Sequence, residues 1–170
     1  MATATHLLTL EEFRARYAHE KPHYEYWFGE AVQKSAPTWL HGVLQALLGE
    51  MLRGAGYKSG TEVELRVVED WQPKPDVIGI THIDERYPTK PPDVVIEVLS
   101  PDDKMQDVFR KCRQYARIGA PAIFVLDPES QDAWIWNRHT DNLERIDSLD
   151  LPNGQTIPIR LVWEEMDRRK

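Results

Sequence analysis

The run Val94-Val95-Ile96-Glu97-Val98-Leu99 is the tightest constraint on what this chain can fold into. All but one of its residues are apolar, and Val and Ile favour extended backbone, so the segment reads as a strand over 94–99. A strand apolar toward both faces must be covered on both, which places it inside a sheet with layers on either side. At 170 residues the chain can supply those layers, since a domain of this size buries roughly 70% of its extended surface without staples. The single cysteine, Cys112, rules out an internal disulfide and argues against a cysteine-based zinc site, and a reducing, cytoplasmic setting is expected. No apolar run approaches the ~18 residues of a membrane span. The opening MATATHLLTLEEF lacks a basic start and is interrupted by Thr9, Glu11 and Glu12, so no secretory signal is expected there.

Around the central strand the pattern alternates between helix and sheet. Thr9-Leu10-Glu11-Glu12 is a capping box that opens a helix to about residue 17. Residues 24–33 read as an aromatic hairpin turning near Gly29. Leu40, Val43, Leu44, Leu47, Leu48 and Met51 recur at helical spacing up to the glycines of RGAGY. Residues 62–68 alternate Val63, Leu65 and Val67 with Glu62, Glu64 and Arg66, which predicts a strand with one charged face. A strand over 76–80 follows. Ser100-Pro101-Asp102-Asp103 predicts a helix start capped by Ser100, with Val108, Cys112 and Tyr115 on its apolar face and Gly119 as its stop. Strands over 122–126 and 133–137, then 143–149 and 156–162, complete a β-rich tail. The expected architecture is one α/β domain spanning 1–170, a mixed sheet flanked by helices, preceded by a helix and hairpin.

Within this pattern Glu97 carries the most information. Carboxylates are rarely buried unless paired or bound to a metal, and its strand offers no basic neighbour in sequence. Asp76 heads the adjacent apolar strand, and Glu64 lies on the charged face before it. A hard cation such as Mg²⁺ takes oxygen ligands, and two strand carboxylates can provide them. Hydrolysis of a phosphodiester also needs charge stabilisation and an activated water. Lys111, at the margin of the next helix's buried face, can reach the strand with its long stem. Each residue also has a bland account. Asp76 fits a turn acid, Glu64 an exposed strand face, and Glu97 with Lys111 an ion pair. His41 fits a satisfied histidine beside a core stripe, with a role at a phosphate as the other account. Lys74, Lys104 and Asp107 are expected to be solvated charges, and the six tryptophans to be core and hairpin packing.

The chain carries 28 acidic against 21 basic residues, which argues against coating nucleic acid through bulk charge. It leaves room for a nuclease, whose carboxylates bind metals that restore positive charge locally. Arg53, Lys58, Arg110, Arg113 and Arg117 are the candidates for a local basic patch.

The segments K-P-D-V-I-G-I, P-P-D-V-V-I-E-V-L-S-P-D-D, K-C-R-Q-Y-A-R-I-G-A-P and F-V-L-D-P together resemble the Uma-two family of restriction endonucleases, within the PD-(D/E)XK nuclease superfamily. Upstream, Y-E-Y-W-F-G-E-A-V resembles the family's opening hairpin and S-A-P-T-W-L-H-G-V-L its entry to the long helix. The resemblance covers about 24–159. It implies a restriction-endonuclease-like core and Mg²⁺-dependent cleavage of DNA, with Mn²⁺ as a substitute ion. The superfamily's acidic pair falls on Asp76 and Glu97, with Glu64 as a further strand acid and metal ligand. The usual lysine position, two residues after the second acid, is Leu99 here, and the family's displaced lysine falls on Lys111. His41 matches a residue at the start of the long helix.

Two functions follow as expectations. The first is a metal-dependent endonuclease acting on DNA, as a homodimer because a two-fold pair of sites can cut both strands. The second is a non-catalytic nucleic-acid- or protein-binding module on the same fold, its acids tied into ion pairs. A hydrolase of other phosphorylated ligands ranks last, since neither a Gly-rich phosphate loop nor a G-x-S-x-G elbow occurs.

Overall fold

The computed structural model describes residues 7–83 and 85–170. The start of the segment read as lacking a secretory signal, residues 1–6, lies outside the described residues. No helix among the described residues is long and apolar enough to cross a membrane.

Helix α1 (Leu10–Tyr17) starts at its predicted box. The Thr9 hydroxyl accepts from Glu12 N at 3.1 Å and the Glu12 carboxylate accepts from Thr9 N at 2.8 Å. Strands β1 (Tyr24–Trp27) and β2 (Glu30–Gln33) form the hairpin, with Phe28 and Gly29 at positive φ in its turn. Helix α2 (Trp39–Gly54) follows, then β3 (Lys58–Thr61) and β4 (Trp71–Gln72). The short β4 pairs with β1 and completes a three-stranded sheet, β2-β1-β4.

The main sheet adds β5 (Val77–Ile80), β6 (Val94–Val98), β7 (Ala122–Asp127), β8 (Asp132–Asn137) and β9 (Asn142–Arg145), in the order β3-β5-β6-β7-β8-β9. Only β6 and β7 are parallel, and the crossover between them is α3 (Met105–Ile118). The hairpin β10 (Ser148–Asp150) and β11 (Thr156–Pro158) leads into α4 (Ile159–Arg169).

Every residue of β6 is buried, as its composition demands. On one face α2 and α4 pack Leu44, Leu48, Leu52, Val162 and Met166 against Val77, Ile96 and Phe124. On the other, α3 and the small sheet pack Val108, Cys112, Tyr115, Trp27 and Trp71 against Ile78, Val95 and Ile123. Asp76 and Glu97 alternate with the first set and therefore face the second layer.

Four segments depart from the sequence reading, the first being the strand expected over 143–149, which is broken at 146–147 into β9 and β10 in separate sheets. Residues 62–68 do not form a strand: β3 ends at Thr61, and Glu62 takes φ +56°. The facing stretch explains this, because Pro73 and Pro75 have no N–H to give. Leu65 N donates to Pro73 O and Glu62 N to Pro75 O, and the ladder cannot be reciprocated. Ser100 does not cap α3, whose N-cap is Lys104 without a side-chain bond. Asp103 instead closes a turn, its carboxylate accepting from Ser100 N at 2.7 Å and its own N–H donating to Ser100 O at 3.0 Å. The tail strand expected over 156–162 stops at Pro158. Ile159, Val162, Trp163 and Met166, spaced i, i+3, i+4 and i+7, bury one face of α4.

Gly119 ends α3 in the left-handed region, at φ +100°. A Cβ there would meet only Pro91 Cγ at 3.6 Å, an ordinary contact, so the cost of a side chain is one of backbone conformation. Gly119→Ala is expected to cost about 1–2 kcal/mol in denaturant unfolding. An unchanged midpoint would show that the turn relaxes freely.

Candidate active site

The register Val77 opposite Ile96 brings Asp76, one residue before β5, beside Glu97 on β6. Asp76 Oδ2 accepts from Val98 N at 2.8 Å, which fixes the carboxylate against the neighbouring strand. Its Oδ1 faces Lys34 Nζ at 2.9 Å and His41 Nε2 at 3.5 Å. Glu97 is bound from α3: Lys111 Nζ lies 2.8 Å from both carboxylate oxygens, and the Tyr115 hydroxyl donates at 2.6 Å. Asp76, Glu97 and Lys111 are all less than a tenth exposed. They share a cavity of about 800 Å³ with Lys34, His41 and Gln45.

The other predicted residues take distinct places. His41 is buried at the start of α2; its Nδ1 lies 3.0 Å from Ser100 Oγ and its Nε2 faces Asp76. Glu64 lies apart from this cluster, with Arg66 Nε at 2.8 Å and Lys74 Nζ at 3.9 Å. Lys74, expected on the surface, is buried because its ammonium donates to Tyr24 O and its backbone N–H to Glu25. Lys104 is exposed and Asp107 half-buried, as expected of solvated charges, and both stand at the lining of the cavity. Arg110 lies over Trp27, and Arg113 is paired with Asp141.

Four residues that sequence reasoning missed complete the cluster. Glu25, buried on β1, has Lys111 Nζ at 3.4 Å from one oxygen and accepts from Trp27 Nε1 at 3.1 Å with the other. An acid between aromatic residues in Y-E-Y-W was a signal of the same kind as Glu97. Gln45 follows His41 by one helical turn and donates to Glu62 at 3.1 Å and to Asp76 O at 2.8 Å. Glu62 belongs in sequence to a charged strand face, and that strand does not form. Lys34, at the end of the hairpin, reaches Glu62, Asp76 and Lys74 O. No pattern in sequence marks it.

The charges are unequal. Four carboxylates, Glu25, Glu62, Asp76 and Glu97, meet two ammonium groups, Lys34 and Lys111. Burial raises the Glu97 carboxyl, Lys111 opposes this, and Asp76 and Glu25 add to it, leaving it pushed up to about 7. Burial also works to raise Asp76, but Lys34 and the His41 bond outweigh it and hold the carboxyl well below the usual range. Burial would lower both lysines, yet the surrounding acids keep them above the ordinary lysine value. His41 is raised, burial being outweighed by its bond and charge interaction with Asp76. Burial and Glu97 raise Tyr115, so its hydroxyl keeps the proton it donates.

Among the described residues, His41, Glu62 and Asp76 each offer a ligand atom within 4.8 Å of the others. Carboxylate oxygens with one imidazole suit a hard or borderline divalent cation. Carboxylates outnumber ammonium groups around this position, which favours a cation there.

A family model described as "Uma2: Putative restriction endonuclease" matches residues 10–166. Among solved structures, the chain resembles one described as a "putative nuclease belonging to DUF820 from Anabaena variabilis ATCC 29413". The two share 20% identity at a TM-score of 0.74, over 94% of this chain and 99% of that one, a likeness of fold. A structure of a DrdV–DNA complex matches 72% of this chain and 10% of that chain, at 17% identity and a TM-score of 0.40, too slight to bear on the site. No curated protein matches the chain.

The buried charges make stability depend on pH in a defined direction. Folded Glu97 keeps its proton to about 7, whereas the unfolded side chain loses it near 4.5, so stability falls as pH rises between these values. His41 acts in the same sense, because the stabilisation of a raised imidazole is lost as pH climbs through its folded value. The metal-free protein is expected to lose on the order of 2–3 kcal/mol in guanidinium unfolding between about pH 5 and about pH 8. Glu97→Gln should remove much of the difference. A stability that rises across this window would contradict the assignment.

Proposed function

The chain belongs to the Uma2 family, and from that premise we propose that it is a divalent-metal-dependent endonuclease hydrolysing phosphodiester bonds, with DNA as the substrate. The observation that carries the reading is the convergence of Asp76, Glu97 and Lys111, from the approach to β5, from β6 and from α3, on one cavity. Asp76 and Glu97 would hold Mg²⁺, or Mn²⁺ in its place, with Glu62 and His41 as further donors beside Asp76. Glu64, turned toward Arg66, stands outside this set.

When bound, such a cation polarises a phosphoryl oxygen and makes a water molecule more acidic. The chain's own residues supply the rest. Val98 N–H and the Tyr115 hydroxyl fix the two carboxylates before substrate arrives, so no reorganisation is required at the moment of reaction. Lys111 Nζ, on the cavity wall, orients the attacking water and offsets the charge that develops on the phosphate. Its three donors can serve Glu97 and an incoming oxygen together. His41 is held from one side by Ser100, which turns Nε2 toward Asp76 and the phosphate position. The buried setting strengthens each of these interactions relative to water. A homodimer would present two such sites to a duplex.

One observation favours the second reading, a binding module without catalysis. Glu97 is already satisfied by Lys111 and Tyr115, as a structural ion pair would be. Plasmid and single-stranded DNA, incubated with Mg²⁺, Mn²⁺ or EDTA, separate the two readings. Wild type is expected to nick DNA only with metal. Glu97→Ala and Lys111→Ala should each lose roughly 10²-fold or more in rate, while Lys111→Ala retains metal binding measured by calorimetry. Wild-type rates in Lys111→Ala would remove its role. A wild type that neither cleaves nor binds metal would favour the binding module.

A further inference from the structure

Lys34 has the most complete set of partners of any cation at the site, yet cleavage as described above does not require it. Its Nζ lies 2.9 Å from Glu62 Oε2, 2.9 Å from Asp76 Oδ1 and 2.7 Å from the Lys74 carbonyl oxygen. An ammonium has three N–H donors, and all three are used. Two of its three partners, Glu62 and Asp76, also belong to the cluster with metal-ligand spacing. The group therefore sits among oxygens that a divalent ion would need, on the side of Asp76 that His41 also faces.

We infer that Lys34 is a tethered counter-cation: its ammonium and a divalent metal ion are alternative occupants of one oxygen-lined position, so that loading the metal expels Lys34 into the cavity. The inference rests on the metal-dependent reading above. A Mg²⁺ ion holds oxygens at about 2.0–2.1 Å, so an ion and an ammonium sharing Asp76 Oδ1 and Glu62 would lie within a few ångströms of each other. Two cations that close, in a partly desolvated site, repel strongly. Lys34 has somewhere to go, since it lines the cavity and its four-carbon stem is flexible. Without metal, it separates the buried Asp76 carboxylate from the half-buried Glu62 carboxylate and pairs with both. With metal, its freed donors face the space a phosphate would enter.

The prediction concerns metal affinity, not rate. The full chain, stripped of metal, is titrated with Mn²⁺ by calorimetry as wild type and as Lys34→Met. Removing the competing ammonium should tighten Mn²⁺ binding by roughly tenfold or more. Wild type also serves as its own test, which stands even if Lys34→Met folds poorly. Acetic anhydride labelling read by peptide mass spectrometry should find Lys34 slow to acetylate without metal and severalfold faster with Mg²⁺, against exposed Lys58 as reference. Unchanged or slower labelling of Lys34 with Mg²⁺, or Mn²⁺ affinity in Lys34→Met equal to or weaker than wild type, would overturn the inference. If wild type binds Mn²⁺ and either result is seen, Lys34 alone is misassigned. If neither protein binds Mn²⁺, the inference falls together with the metal-dependent reading.

Discussion

Three buried carboxylates, Glu25, Asp76 and Glu97, and the half-buried Glu62, gathered against two ammonium groups, set the terms for the rest of this structure. Such a cluster is expensive to remove from water, and it persists only where each charge is held by several partners at once. The fold provides those partners from separate directions. The β6–α3–β7 crossover delivers Lys111 and Tyr115 to Glu97. The opening hairpin delivers Glu25 and Lys34, and the first turns of α2 deliver His41 and Gln45. Removing any one element would leave a charge without its counterpart, so the site is a joint product of both layers on the sheet rather than a feature of one loop.

The central fold was legible because its signals are periodic and redundant. A strand with no polar face demands a covered sheet, and the helical spacing of Leu44, Leu47 and Leu48 provides one cover. The misread segments share a cause, which is that the deciding information lies elsewhere in the chain. The alternation over 62–68 is real, with Leu65 buried, but a ladder depends on the facing segment, and that segment is Pro-Lys-Pro. Ser100-Pro101-Asp102-Asp103 has good capping chemistry, but its serine is engaged by His41, which is 59 residues away. At 156–162 a short β hairpin runs directly into a helix, and reading the two as one strand hides the period of Ile159, Val162 and Trp163.

The site divides along the same line. Glu97 and Asp76 were visible as acids in apolar strands, and Lys111 as a cation at the edge of an apolar helix face. Each is anomalous against its own local background. Glu25 satisfies the same criterion in an aromatic strand, and the signal was present but unused. Lys34 and Glu62 are anomalous only in three dimensions. A lysine after a hairpin and a glutamate among other charges look solvated in sequence. Their pairing and partial burial are created by tertiary contact.

The Pro73-Lys74-Pro75 segment shows how such contacts become specific. Two prolines leave it three carbonyls but a single N–H, so it is a stretch of backbone that accepts far more than it can donate. Each group needs a partner, and the partners are the site. Lys74 N–H goes to Glu25 at 2.6 Å, Lys74 O takes Lys34 at 2.7 Å, and the proline carbonyls take Leu65 N and Glu62 N. The same unpaired backbone that prevents a strand at 62–68 thus turns Glu62 toward Asp76 and draws in Lys34. A regular ladder here would have satisfied the backbone internally, leaving no backbone demand to bring the acid and the ammonium together. The irregularity beside β5 therefore brings Glu62 and Lys34 to Asp76, and so completes a charge cluster whose other members come from β1, β6 and α3.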